Sequence, residues 1–383
     1  MNAAARLSIA ISGAGPLGLV SALALARQGH TATLFDARAP AAAEADTRTL
    51  ALSHGSRELL ERLDAWPAQA ATPIQRILVS QQGAAGRTRL DAAEHRLPAL
   101  GYVVGAAALA ATLRARVEAT GLTIHAGHRL EDATADTQGM RLHFATADGP
   151  RLREASLLLR CEGFIPAAEA TRCHDYDQHA LIARVTPAEP HAALAHERFT
   201  ARGPLALLPC GSDYALVWTV PAAEAARLMA APANAWLEPL NAALDGLVRL
   251  VAVTERAHHP LGLRMRRHIT APRCVWLGNA AQTLHPVAGQ GFNLALRDAW
   301  ELADTLRHAA DPGAPALLAR HAARRRLDRE GAATFTDLVV RGFSNTLPGL
   351  PTLRGLGLTA LDLVPPLRHF VARRMIYGAR AWP

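Results

Sequence analysis

Two glycine-rich segments near opposite ends of the chain carry the residues best suited to chemistry. The first is Gly13-Ala14-Gly15-Pro16-Leu17-Gly18, a G-x-G-x-x-G pattern. Gly13 permits a tight turn, Gly15 lets a pyrophosphate approach the backbone, and Gly18 allows a helix to pack closely on a strand. A helix opening there offers N–H groups and partial positive charge to phosphates. Asp36 stands near the separation at which a carboxylate bonds a ribose 2′-hydroxyl. The pattern points to a bound dinucleotide; its plain alternative is a structural turn with Asp36 solvated at a strand end.

The second segment, residues 278–298, reads GNAAQTLHPVAGQGFNLALRD. A nicotinamide-only enzyme has no need of a second cofactor-embracing segment, so this stretch points to a flavin dinucleotide. Gly278 and Ala280-Ala281 allow close approach of a ligand, and Asn279 would bond a ribityl hydroxyl. Pro286 stiffens the loop. Gly289-Gln290-Gly291 leads into a helix whose N-terminus would stabilise negative charge at the flavin N1 and C2 carbonyl. The candidate cofactor set is therefore Gly13, Gly15, Gly18 and Asp36 with Gly278, Asn279, Pro286, Gly289, Gln290, Gly291 and Asn293.

These residues need elements to hold them. Ile9 and Ile11 lie in an apolar strand, the glycine turn follows, Leu19 to Gln28 continue helically, and Thr31 to Phe35 read as a second strand, a compact β-α-β unit. Helical spacing returns over 53–63 and 106–119. Residues 139–160 alternate on both sides of Asp148-Gly149 and predict a hairpin. From about 176 to 257 the texture changes to short alternating strands with one or two Ala-rich helices near 221–244, the candidate second domain. RCVWLG at 273–278 restores the first texture, and the remainder is helical, broken by Pro348, Pro351 and Pro365-Pro366.

Composition narrows the function. The 383 residues suggest two domains, the second inserted into the first. The net charge of +8 is built entirely from arginine, for the chain has no lysine. The arginines are scattered, apart from Arg324-Arg325-Arg326 and Arg373-Arg374, with no basic stripe interleaved with aromatics, which argues against nucleic acid. Without lysine there is no Schiff-base or Walker-type lysine. Cys161, Cys173, Cys210 and Cys274 form no Cys-x-x-Cys pair, so no metal or redox dithiol is expected; they read as reduced thiols of a cytoplasmic protein. Residues 7–26 are nearly charge-free, but Pro16 and the glycines favour strand, turn and buried helix over a membrane span. The N-terminus shows no export signal.

Taken together, GNAAQTLHPVAGQGFNLALRD, the N-terminal glycine turn, DTRTLALSHGSRELLERLDAW at 46–66 and FTARGPLALLPCGSDYALVWTVP at 199–221 resemble the class A FAD-dependent aromatic hydroxylases, ubiquinone-biosynthesis branch. The first of these stretches is most similar to 2-polyprenyl-6-methoxyphenol hydroxylases, and the likeness covers nearly the whole chain. It implies a p-hydroxybenzoate hydroxylase-like α/β fold, with a Rossmann-type FAD-binding domain over 1–75, 100–175 and 258–340. An inserted mixed β-sheet substrate domain would take 76–99 and 176–257, and a helical C-terminal region 341–383. The implied chemistry is reduction of FAD by NAD(P)H, capture of dioxygen as a flavin C4a-hydroperoxide, and oxygen transfer to the ring of a polyprenylated phenol.

The resemblance also assigns residues. Arg48 would reach the cofactor, residues 199–221 would roof the active site, and His285 and Pro286 in the flavin loop are candidate catalytic positions. One departure matters: the family's central Ala-Asp-Gly is here Cys161-Glu162-Gly163, with no Ser following. Either Glu162 keeps the carboxylate's cofactor role or reduction by the nicotinamide is weakened. A smaller departure is Gly101-Tyr102-Val103-Val104-Gly105, which lacks the usual acid after the paired valines. Two alternatives stay open, a non-catalytic flavin-binding subunit of the biosynthetic complex and a hydroxylase of another aromatic substrate. Halogenation is excluded by the missing lysine and Trp-x-Trp-x-Ile-Pro motif. A nearly insoluble substrate and a C-terminal segment mixing Leu and Val with Arg368, Arg373, Arg374 and Arg380 imply peripheral association with the inner membrane or with a biosynthetic complex.

Overall fold

The apolar N-terminal run forms strand β1 (Leu7–Ser12), and helix α1 (Pro16–Arg27) leads from the glycine turn back to β2 (Ala32–Phe35). A computed structural model describes residues 7–38, 46–83, 86–285, 289–343 and 350–378. Pro16 sits at the first helical position, where its missing N–H costs nothing. β1 is flanked in parallel by β2 and by β11 (Arg151–Arg160); β18 (Cys274–Trp276) adds to β11 and β8 (Thr123–His125) adds to β2, both in parallel. β9 (Arg129–Ala135) and β10 (Met140–Ala145) extend antiparallel from β11, and the predicted hairpin turns at Gly149, whose φ is +101°. The short β17 (Thr270–Ala271) closes the far edge beside β18. One core joins Leu19 and Leu23 of α1 to Leu109 and Leu113 of α3 (Ala106–Ala119) and to Leu296 and Leu302 of α6 (Gln290–Thr305).

A second sheet runs in the order β19 (Gln282–Thr283), β16 (Leu250–Met265), β12 (Arg172–Pro187), β15 (Asp213–Pro221), β14 (Gly203–Cys210), β13 (Leu194–Thr200), β5 (Arg76–Gln81) and β6 (Arg87–Asp91). Its pairs are antiparallel except β13 with β5. Residues 76–91 thus leave the first domain to finish the edge of the second sheet. One face of that sheet carries α4 (Ala222–Ala230) and α5 (Leu237–Leu244) around the buried Trp218 and Trp236, the latter donating to the Leu228 carbonyl at 2.7 Å. Truncating either Trp would cost about 3–5 kcal/mol. The other face meets a small antiparallel sheet of β3 (Thr49–Ser53), β7 (Gly101–Gly105) and β4 (Ala71–Ile74), with Ile74 and Val103 packed on Ala195 and Ala215. From β3 the chain enters α2 (His54–Arg62), started by the Ser53 hydroxyl, which accepts from the Ser56 N–H at 3.2 Å.

Helices α7 (Pro315–Phe343), α8 (Leu350–Leu363) and α9 (Pro365–Tyr377) follow. A buried ion network clamps α7 to α6: Arg325 donates to Asp298 at 2.5 Å and to Asp328 at 2.7 Å, Arg297 donates to Asp328 at 2.8 Å, and Gln282 donates to Asp298 at 2.9 Å. His321 is fully buried beside it, and burial followed by the Arg325, Arg324 and Arg329 charges pushes its ring down to about 3. Among the described residues no helix is long and apolar enough to cross a membrane.

Arg325→Met takes the cation from Asp298, leaves Asp328 with Arg297 alone, and lowers stability by about 3–5 kcal/mol in a denaturant titration. His321 titrates lower when folded than its ordinary 6.5, so its contribution is full above that pH and is lost as pH falls toward about 3. A His321→Leu variant flattens that part of the acid dependence of Tm.

Candidate functional site

Because β1, β11 and β18 are adjacent and parallel, their carboxyl ends deliver Gly13, Glu162 and Gly278 to one edge of the sheet. Ligands of open α/β sheets lie at that edge. The backbone there is tightly packed. A Cβ on Gly13, whose φ is +102°, would fall 2.8 Å from the Cys161 carbonyl oxygen, and one on Gly18 would fall 1.9 Å from the Gly13 oxygen. Gly15 differs: the nearest neighbour of an added Cβ would be Arg38 at 3.8 Å, so the cradle is open where a pyrophosphate would approach. α1 starts at Gly15 with no side-chain cap, leaving first-turn N–H groups available to phosphate.

Asp36 lies at the end of β2 and closes this turn. Its carboxylate accepts from the Ala14 N–H at 2.8 Å, from the Arg38 N–H at 2.8 Å and from the Arg38 guanidinium at 3.1 and 3.2 Å. Burial raises its pKa, but those donors outweigh burial and hold it below the ordinary value. The partly exposed Arg38 would have to yield for a ribose hydroxyl to bond Asp36. Glu162 follows β11, and its carboxylate accepts from Arg160 Nε at 2.9 Å. Arg48 is exposed, with its guanidinium on Asp46 at 2.8 and 2.6 Å. It lines a cavity of about 290 Å³ with Arg184, Glu255 and His259.

The second segment packs against the first. Gly278, at φ +57°, presses on α1, where an added Cβ would lie 2.3 Å from Leu17 Cδ2, and Asn279 is exposed in the same turn. Gly289 opens α6 at φ +60°, again with no side-chain cap, and Gly291 meets open space. Gln290 donates to the Met375 carbonyl at 3.4 Å, bringing α9 to this point. Asn293 is buried with its amide fully used: Oδ1 accepts from the Ser53 N–H at 2.8 Å and the Ser56 hydroxyl at 2.6 Å, and Nδ2 donates to Ala51 O at 2.9 Å and Gly289 O at 2.7 Å. Its side chain therefore holds the loop in place, a role different from the cofactor contact expected of it. His285 is buried, its ring edge-on to Tyr176 at 5.4 Å, and burial pushes it down to about 4, so it is neutral at ordinary pH. Pro286 lies outside the described residues.

Between these segments and the second sheet lies a cavity of about 360 Å³. Its floor is Thr49 to Ser53 of β3 and Gly289 to Asn293 of α6; its roof includes Pro204, Ala206, Leu208, Val217 and Thr219, all from the stretch expected to roof the site. Ala372, Met375 and Ile376 of α9 form one wall. Leu284 lines it; His285 does not. Sequence reasoning missed Glu197 on β13, the single charged side chain in the wall among the described residues. Alternation in LAHERFT was the available signal, since Ala195, Glu197 and Phe199 share a face. The two uncapped helix N-termini, the open glycine cradle and the apolar cavity together fit FAD.

Comparisons with known proteins agree. The FAD binding domain family matches residues 6–336. "Ubiquinone hydroxylase UbiL" of Rhodospirillum rubrum is 31% identical over 98% of this chain and 90% of its own. The 3-demethoxyubiquinol 3-hydroxylase of Escherichia coli is also 31% identical, over 94% of this chain and 96% of its own. Among solved structures, p-nitrophenol 4-monooxygenase PnpA of Pseudomonas putida superposes with a TM-score of 0.79 at 12% identity, over 98% of this chain and 99% of that one. A Klebsiella pneumoniae HpxO complexed with FAD gives 0.75 at 18% identity, over 98% and 100%. These structural likenesses establish the shared fold.

Gly18→Ala drives a methyl into the Gly13 carbonyl and opens the turn. FAD per protein, read from visible absorbance of the purified variant, falls at least about tenfold, while far-ultraviolet dichroism stays near wild type.

Proposed function

The chain belongs to the FAD binding domain family, in its ubiquinone-hydroxylase branch, and on that premise we propose that it hydroxylates the ring of a polyprenylated phenol. It is an FAD-dependent aromatic hydroxylase, with NAD(P)H as the reductant typical of the family. The observation that carries the substrate class is the cavity: a predominantly apolar space bounded by the α6 N-terminus on one side and by α9 on another. Such a space suits a ring with a greasy tail far better than a charged aromatic acid, which would need an arginine partner that none of the described wall residues offers.

FAD, when bound and reduced, would supply the redox chemistry that activates dioxygen, one atom of which goes to the ring. The protein's part is placement and exclusion. Gly13, Gly15 and Gly18 would accept the pyrophosphate, Asp36 the ribose, and Glu162 would stand where the family's shorter acid does. The uncapped α6 N-terminus would favour negative charge on the flavin pyrimidine ring. The walls from β5, β14 and β15 hold the substrate ring and keep water from the reacting atoms.

The same reading gives the C-terminal helices a surface role. Leu353, Leu356, Leu363, Val364, Leu367 and Phe370 are exposed, and Arg373 is exposed on α9 beyond them. An apolar face beside the Arg373 cation matches an anionic lipid surface, and α9 also walls the cavity, which gives a tail a route from bilayer to site. The Leu356→Glu/Leu363→Glu double variant therefore loses most co-sedimentation with phosphatidylglycerol vesicles while keeping its FAD; unchanged co-sedimentation would remove the membrane reading.

For the reaction itself, anaerobic NADPH or NADH added to the yellow holoenzyme bleaches it faster when 2-prenyl-6-methoxyphenol is present, and air then yields the hydroxylated phenol. A protein that stays oxidised with every nicotinamide and phenol would favour the non-catalytic flavin-binding subunit and place the fault at Glu162.

A further inference from the structure

Strand β13 places one acid on the wrong side of an apolar surface. Glu197 pairs in register with Val79 of β5 and with Ala206 of β14, and Ala206 pairs with Val217 of β15, so its cross-strand row on the cavity face is otherwise aliphatic. The cations nearest in sequence cannot serve it. Arg198 points to the opposite face, where its guanidinium donates to Ala243 O at 2.7 Å and to Ser80 Oγ and Asp245 at 3.2 Å. His196 shares that opposite face, its ring edge-on to Tyr214 at 6.1 Å. His196 borders the cavity as the neighbour of Glu197, and burial, then the Arg198 charge, pushes it down to about 4, so it is neutral at working pH; from β3, β4, β5, β6, β7, β14, β15, the α6 N-terminus and α9, no charged or titratable side chain lines the cavity among the described residues. Burial alone pushes the Glu197 carboxyl up to about 7.

An unpaired carboxylate in such a wall costs folding free energy and contributes nothing to packing. What it offers is a hydrogen-bond acceptor, aimed into the space where the ring of the substrate would lie. We propose that Glu197 is the catalytic base that takes the proton of the substrate's phenol hydroxyl. The inference rests on the phenol-hydroxylase reading and adds to it the group that makes the ring electron-rich. The step balances simply. The O–H bond of the phenol breaks, its proton goes to a Glu197 oxygen, and its electron pair stays on the phenolate oxygen, where it activates the ring carbons ortho and para. After oxygen transfer the ring C–H proton leaves to solvent. The new phenolate then recovers its proton from Glu197, which returns to the carboxylate. A base titrating near 7 is well matched to working pH, whereas free phenol ionises only near 10.

Glu197→Gln keeps shape and hydrogen bonding but cannot take the proton. The test measures hydroxylated product against pH, in wild type, E197Q and E197D holoenzyme, with 2-prenyl-6-methoxyphenol as the substrate. Wild type loses rate tenfold per pH unit below about 7. In E197Q the rate at pH 7.5 falls by about 10²–10⁴-fold, the limb near 7 disappears, and activity climbs again toward pH 10 as the free phenol ionises. E197D recovers part of the rate and keeps a limb. A readout independent of turnover is thermal stability. The folded carboxyl holds its proton more tightly than the unfolded one, so wild type loses stability as pH rises from about 4.5 to about 7. E197Q should then match wild type at pH 4 and melt at a higher temperature above pH 7. An E197Q enzyme with the wild-type rate and limb overturns the assignment while leaving the hydroxylase reading intact. A wild type that forms no hydroxylated phenol overturns that reading and this inference with it.

Discussion

The floor of the cavity, on which the cofactor and substrate would rest, depends on one buried amide. Asn293 uses both its acceptor positions and both its donors, tying the first turn of α6 to β3 and to the start of α2. Each bond is worth about 1 kcal/mol net, but leaving any one of those buried groups unpaired costs more. An aliphatic side chain would remove all four bonds at once. The consequence is geometric: Gly289 to Asn293 and Thr49 to Ser53, remote in sequence, become one rigid floor with an uncapped helix end exposed to the space above it. α6 can hold that position because its far side is braced in turn by Asp298, Gln282 and Arg325, and because Arg329 carries the bracing on to Gln282 at 2.6 Å.

On that floor the parallel sheet and the second sheet have separate tasks. The parallel sheet brings three carboxyl ends together, so that a glycine cradle, an acid and a second glycine turn meet without any of them being close in sequence. The second sheet supplies a wall whose inward positions, set by strand alternation, are aliphatic or small. Charge is nearly excluded from that wall. This division is why an acid on β13 carries meaning there and would carry little on the solvent face of the same strand.

Much of this was legible beforehand, for local reasons. The Gly-x-Gly-x-x-Gly turn, Pro16 at the helix start and the Asp148-Gly149 hairpin are short-range signals, and each appears where the sequence placed it. The roofing stretch 199–221 was read from resemblance, and within it Pro204, Ala206, Leu208, Val217 and Thr219 line the cavity. What escaped is long-range. Asn293 read as a ligand because nothing local reveals that its four partners come from β3, α2 and the preceding loop. Arg48, expected at the cofactor, pairs with Asp46 beside a neighbouring cavity that shares Thr49 with this one, a pairing no local pattern announces. His285 attracted a catalytic role by its position in a motif, while its environment makes it a neutral ring packed on Tyr176. Glu197 went unnoticed because an acid in an alternating strand is ordinary until the strand's inward face is known.

The most direct test of the account is a crystal structure of the holoenzyme with 2-prenyl-6-methoxyphenol bound. It should show the flavin ring over Thr49 to Ser53 and the α6 N-terminus, the phenol ring between it and the β13–β15 wall, the tail running toward α9, and the Asn293 bonds unchanged. A phenol seated instead in the cavity beside Arg48 and Arg184, or a flavin whose ring avoids the α6 N-terminus, would contradict it.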